Sequence, residues 1–148
     1  MSKKCRSESS RVASAIKANK SKWYIADVDL EDDGDDVFAC IDCVKKTLGK
    51  TVAGFMLISA GVKNLVVVVD VHNDLSVELN AREWLVSSLK DIGDYSQHVT
   101  GEAGRFKFVC ELDTPFKLKD VVRSSAFAYL RSQSLMQEES EDEEFYDF

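Results

Sequence analysis

The chain reads as an α/β domain, a central β-sheet with helices packed on it. Two adjacent apolar runs carry that reading first. Val52 to Ala60 and Leu65 to Val71 are rich in β-branched and aromatic residues, and each is shorter than an ordinary helix. Segments with apolar residues at helical spacing lie before and after them, so helices and strands share the chain. Neither run alternates cleanly between apolar and polar residues, which predicts a sheet covered on both faces.

The elements follow in order. Ser7 to Lys20 places Val12, Ala13, Ala15, Ile16 and Ala18 at helical spacing with basic residues on the other side. Asn19 offers a stop, and the segment reads as the end of a longer helix. Trp23 to Leu30 alternates apolar and polar, as a first strand with one buried face does. An acidic loop, Glu31-Asp32-Asp33-Gly34-Asp35-Asp36, leads into a helix from Val37 to Leu48. Aspartates at its start, Lys45 and Lys46 in its last turn and Gly49 beyond it suit the helix dipole and its caps. Gly61-Val62-Lys63-Asn64 supplies turn chemistry between the two apolar runs, because Gly61 and Asn64 both tolerate positive φ, so the runs form an antiparallel hairpin. Val71-His72-Asn73-Asp74 is a turn, Val77 to Ile92 a second amphipathic helix ending at Gly93, residues 94–104 a polar loop, and Phe106 to Leu112 a short strand. Thr114-Pro115 opens the last helix, Lys117 to Ser134, which buries Leu118, Val121, Val122, Ala126, Phe127, Tyr129 and Leu130. The predicted order is α-β-α-β-β-α-β-α.

Length and charge bound the function. The 148 residues are enough for one domain with a real core. No apolar stretch approaches the roughly 20 residues of a bilayer-spanning helix, and Met1-Ser2-Lys3-Lys4-Cys5 lacks a signal peptide's apolar segment, so a soluble, cytoplasmic protein without a membrane partner is expected. Residues 1–22 carry a net +6 and residues 135–148 a net −7; the total of −7 leaves about −6 on the part between. An acidic domain is a poor general nucleic-acid binder, so any RNA contact must use a local patch. The acidic tail is expected to be disordered, with Phe145-Tyr146-Asp147-Phe148 as a candidate docking element.

Other chemical signals have plainer explanations. Cys40 and Cys43 form a C-x-x-C within a helix, but a structural zinc needs a second ligand pair and His72 and His98 are isolated. Reduced, packed thiols are the expectation for these and for Cys5 and Cys110. The aspartates around Gly34 lack the terminal glutamate of a calcium loop and read as a solvated helix cap. Neither histidine has a Ser or Cys partner at a recognisable spacing, so no catalytic constellation is visible. Trp84 is expected in the core rather than against a base; Trp23 is left open.

The residues also resemble a known family. Tyr24-Ile25-Ala26-Asp27-Val28 followed by an acidic loop and helix, Leu48-Gly49-Lys50-Thr51-Val52 leading into the hairpin, and Leu79-Asn80-Ala81-Arg82-Glu83-Trp84-Leu85 are together similar to the C-terminal, DHH-associated C-Ala domain of eukaryotic cytoplasmic alanyl-tRNA synthetases. The similarity covers about residues 22–132, and the basic helix before it resembles the end of the family's helical spacer. It implies residues 1–21 as that spacer helix, 22–134 as the globular domain and 135–148 as the tail. Gly101, Gly104 and Arg105 fall on the family's glycine-rich loop, although its four-glycine run is reduced here to Gly101-Glu102-Ala103-Gly104 and the following segment becomes more strand-like.

The resemblance implies a non-catalytic domain that helps a ligase attach alanine to tRNA. ATP, with zinc as a second candidate, is implied for other parts of the parent enzyme and no cofactor for this chain. Its implied partners are tRNA and the enzyme's other domains. The candidate tRNA contacts are Gly101, Gly104, Arg105, Lys107, Lys119 and Arg123, with Lys90 and Lys117 beside them; no catalytic or metal residue is assigned. Lys119 and Arg123, four apart, share a helix face, and the family fold would place the glycine loop near that helix. A solvated charged surface, or a protein-interaction module that kept the fold without tRNA binding, is the competing reading.

Overall fold

The computed structural model describes residues 3–18, 22–30, 34–48, 54–72, 79–133 and 135. Expectations for Asn19, Gly49, residues 31–33, 73–78 and 134, and the acidic tail beyond Leu135 fall outside these residues. The elements are α1 (Lys3–Ala18), β1 (Trp23–Asp27), α2 (Gly34–Leu48), β2 (Gly54–Ala60), β3 (Asn64–Val71), α3 (Ala81–Leu89), β4 (Val99–Glu102), β5 (Arg105–Glu111) and α4 (Pro115–Ser132). They build the α/β fold expected from the sequence, a mixed five-stranded sheet of order β1-β2-β3-β5-β4 with four helices on it. No helix among the described residues is long and apolar enough to cross a membrane.

β1 and β2 are parallel, joined through α2, and every other pairing is antiparallel. The expected hairpin is present: Ala60 faces Leu65, and the Gly61 N–H donates to the Asn64 carbonyl at 2.9 Å. Its turn does not use the positive φ that Gly61 and Asn64 permit; among the described residues the left-handed glycines are Gly93, Gly101 and Gly104.

Alternation along the strands sends side chains into two cores. Met56, Ile58, Leu65, Val67, Val69 and Val71 meet Leu85, Leu89, Val122, Ala126 and Leu130 of α3 and α4 on one face. Phe55, Leu57, Val66 and Val68 meet Val12, Ile16, Val37, Ile41 and Val44 of α1 and α2 on the other. This is why β2 and β3 carry no polar alternation. β1 departs from the one-faced strand expected of it, because Trp23 enters the first core and Tyr24 the second. Trp84 is fully buried as expected, and Trp23 meets it edge-on with ring centroids 6.0 Å apart.

Several elements differ from the sequence expectation: α1 starts earlier, at Lys3, α2 at Gly34 and α4 at Pro115, and α3 ends earlier, at Leu89. Among the described residues α3 begins at Ala81 and not within the 77–80 stretch, because Asn80 caps it by accepting the Glu83 N–H at 3.0 Å. The segment expected as a polar loop contains β4, which pairs with β5 at the sheet edge. β1 stops at Asp27, three residues short of Leu30. In α4, Val121 is not buried as expected but is 36% exposed.

Candidate nucleic-acid interface

Gly101 and Gly104 are required by the β4–β5 hairpin itself. They adopt φ of +143° and +93°, with Ala103 between them at +55°. A Cβ on Gly101 would lie 2.2 Å from the Arg105 carbonyl oxygen, and one on Gly104 would lie 2.7 Å from that of Val71. The Val71 N–H in turn donates to the Gly104 carbonyl at 2.9 Å, which pins the hairpin to the end of β3. Gly101, Glu102 and Ala103 remain exposed at its tip.

Arg105 starts β5 directly opposite Asp70 of β3. Asp70 is 6% exposed, and its carboxylate accepts from Arg105 Nε at 3.0 Å and from Lys45 Nζ at 3.1 Å. The Arg105 guanidinium also binds Asp42 and lies 4.8 Å from the Phe38 ring centroid. The two carboxylates push its pKa up against the lowering effect of burial, which is the largest single influence. Lys107, two residues on and therefore on the same face, reaches Asp35 at 3.5 Å.

Lys119 and Arg123 share one face of α4, as their spacing predicts, and both point to Asp27 at the end of β1. Arg123 Nη1 donates to Asp27 Oδ2 at 2.6 Å and Lys119 Nζ to the same atom at 3.4 Å. Arg123 also holds Asp120 at 2.8 Å. From the other face of the sheet, Arg11 of α1 donates to the Asp27 carbonyl and to Glu8 Oε1, while Glu8 accepts the Asp29 N–H at 2.8 Å. Hydrogen bonding from Arg11 is the first cause that holds the Glu8 carboxyl below its ordinary range.

The six candidates therefore divide into two groups. Gly101, Gly104, Arg105 and Lys107 lie on β4 and β5, with the two cations turned toward α2. Lys119 and Arg123 lie on α4, which packs on the opposite face. Pairing in register puts Arg105 level with Asp70 and Phe55, and Asp27 level with Ile58, three residues further along β2. The glycine loop does not lie beside α4 as the family resemblance led one to expect. All four cations are bound to carboxylates of this chain.

Sequence reasoning missed what surrounds Asp27. A cavity of about 280 Å³ opens between α1 and α4 at the carboxyl ends of the parallel pair, walled by Glu8, Arg11, Asp27, Asp29, Phe116 and Lys119. Phe116 is 70% exposed, with the Lys119 ammonium 4.4 Å from its ring centroid. The available signal was Phe116 standing off the Leu118, Val122, Ala126 stripe of its helix.

Cys5 and Cys40 are buried between α1 and α2, and burial pushes the Cys40 thiol up to about 11. Among the described residues no group of three or more His, Cys, Asp or Glu side chains could hold a metal ion. Protein-family models give no match to the chain, and curated proteins give none either.

Proposed function

We propose that the chain is a non-catalytic C-terminal domain of a cytoplasmic alanyl-tRNA synthetase, aiding tRNA binding for alanylation that other domains carry out. The observation that supports this reading is the exposed Gly101-Glu102-Ala103-Gly104 tip. It follows the Leu79 to Leu85 segment in the order the resemblance implies, and its Gly101, Glu102 and Ala103 are open to solvent, with Gly101 and Ala103 at positive φ. The domain would supply positioning, and the parent enzyme its ATP chemistry.

One observation favours a second reading. Arg105, Lys107, Lys119 and Arg123 are already paired with Asp70, Asp42, Asp35, Asp27 and Asp120, so these four have little charge left for releasing counterions from RNA. A domain built this way suits protein contact or tethering.

The two readings separate in a salt series. The full chain is titrated with its tRNA and with an unrelated RNA hairpin, and each phosphate contact steepens the fall of log K with log salt by about 0.7 to 0.9. A shallow but measurable slope with preference for tRNA supports the appendage. No binding at moderate salt removes it and leaves protein interaction.

A further inference from the structure

The geometry points to the cavity between α1 and α4 as a pocket for one unpaired nucleobase carrying an exocyclic amino group. This inference rests on the RNA-binding reading above and moves the base contact away from the glycine hairpin.

The pocket lies beyond the carboxyl ends of β1 and β2, between helices that cover opposite faces of the sheet, which is where open α/β sheets place ligands. Its volume of about 280 Å³ suits a single planar ring system, since pockets for drug-sized ligands begin at roughly 300 Å³. Phe116 supplies the stacking platform. Lys119 attracts its ring by a cation–π contact, yet the residue stays 70% exposed. Val62, the other large apolar residue most open to solvent among those described, lies at the same end of the sheet. There the Leu112 N–H donates to the Lys63 carbonyl at 2.8 Å.

The polar wall selects among bases. Glu8, Asp27 and Asp29 line the wall, and of these the Asp29 carboxylate, 70% exposed, presents an open acceptor. A carboxylate in that position favours a donor. Cytosine, adenine and guanine carry an exocyclic amino group, and carboxylates accept from that of cytosine in known base readout. Uracil carries none. Lys117, next to Phe116 and exposed, offers charge for a flanking phosphate.

The test uses the full chain, its tRNA, and single-stranded RNAs of about eight nucleotides made of cytidine or of uridine, a length that fits such sites. At low salt the cytidine strand should bind more tightly than the uridine strand. Phe116→Ala should weaken both the cytidine strand and tRNA by about tenfold, the scale of one lost stack, while Phe116→Trp should retain binding. Phe116 is a surface residue, so an unchanged thermal midpoint verifies that each variant folds. Equal affinity for the two strands, or an unaltered Phe116→Ala variant, overturns the pocket. If tRNA still binds Phe116→Ala normally, the pocket fails and the appendage reading stands. If the cytidine strand binds through Phe116 and tRNA does not bind, the pocket stands and the appendage fails. Absence of binding by either ligand overturns both.

Discussion

Arg105 and Asp70 face each other across the β3–β5 ladder, and the guanidinium closes on a carboxylate that the sheet and α2 have taken out of water. The pair binds the start of β5 to the centre of the fold before it can offer anything to RNA. Arg105→Ala leaves Asp70 with Lys45 alone. Breaking a fully buried pair costs roughly 3–5 kcal/mol. The Arg105 side chain is 38% exposed, so solvent screening brings the expected loss to about 2 kcal/mol. Urea unfolding of the variant measures it, and an unchanged midpoint refutes a structural role for this arginine.

A pH dependence should originate at α1. Arg11 and the Asp29 N–H stabilise ionised Glu8, so its folded pKa lies below the unfolded one. A depressed carboxylate contributes stability above its unfolded pKa and loses that contribution as pH falls through the folded value. The loss should therefore begin below about pH 4.3, the ordinary glutamate value. Glu8→Gln should be less stable than the native chain near neutrality, and the two unfolding midpoints should converge in acid. A constant gap down to low pH would contradict this assignment.

The four thiols should react unequally. Cys5 and Cys40 are buried, and burial raises the pKa of both, whereas Cys43 and Cys110 are partly open. Because the thiolate is the reacting form, alkylation near pH 8 should mark Cys43 and Cys110 first and reach the other pair only when urea opens the α1–α2 contact. Mass spectrometry of partly labelled protein reads the order directly. Excess chelator should leave the thermal midpoint unchanged, and a large drop would restore a metal to the C-x-x-C.

Gly54 should resist any side chain. A Cβ there would fall 2.4 Å from the Trp23 ring, whose edge contact with Trp84 leaves it little room to retreat. Gly54→Ala is expected to cost about 1–3 kcal/mol, the usual range for overpacking, and to change the tryptophan emission. Native emission with native stability would mean that the ring moves freely.

The sequence showed the fold where burial imposes a pattern. The continuous apolar character of Leu65 to Val69 reported two covered faces, because each face of β3 has its own core. β4 escaped notice because only Val99 of its four residues is buried, so an exposed edge strand wrote no apolar period. The start of α3 was legible in Asn80 and Glu83, a capping pair that outweighs the apolar residues before it. For the candidate interface, spacing correctly joined Lys119 to Arg123 but carried no information about which sheet face each element covers. That is a tertiary property, and so is the pairing of each cation with a carboxylate distant in sequence.

The position of β3 sets how the molecule opens. It runs between two antiparallel neighbours with Leu65 to Val69 fully covered on both sides, so its amides cannot meet solvent by fraying. Their hydrogen exchange should follow whole-molecule unfolding, whereas β4, bonded to β5 at the outer edge, should exchange by small local openings. Amide exchange can thus report two separate free energies from one sample. The edge hairpin can then loosen while the central strand keeps its protection.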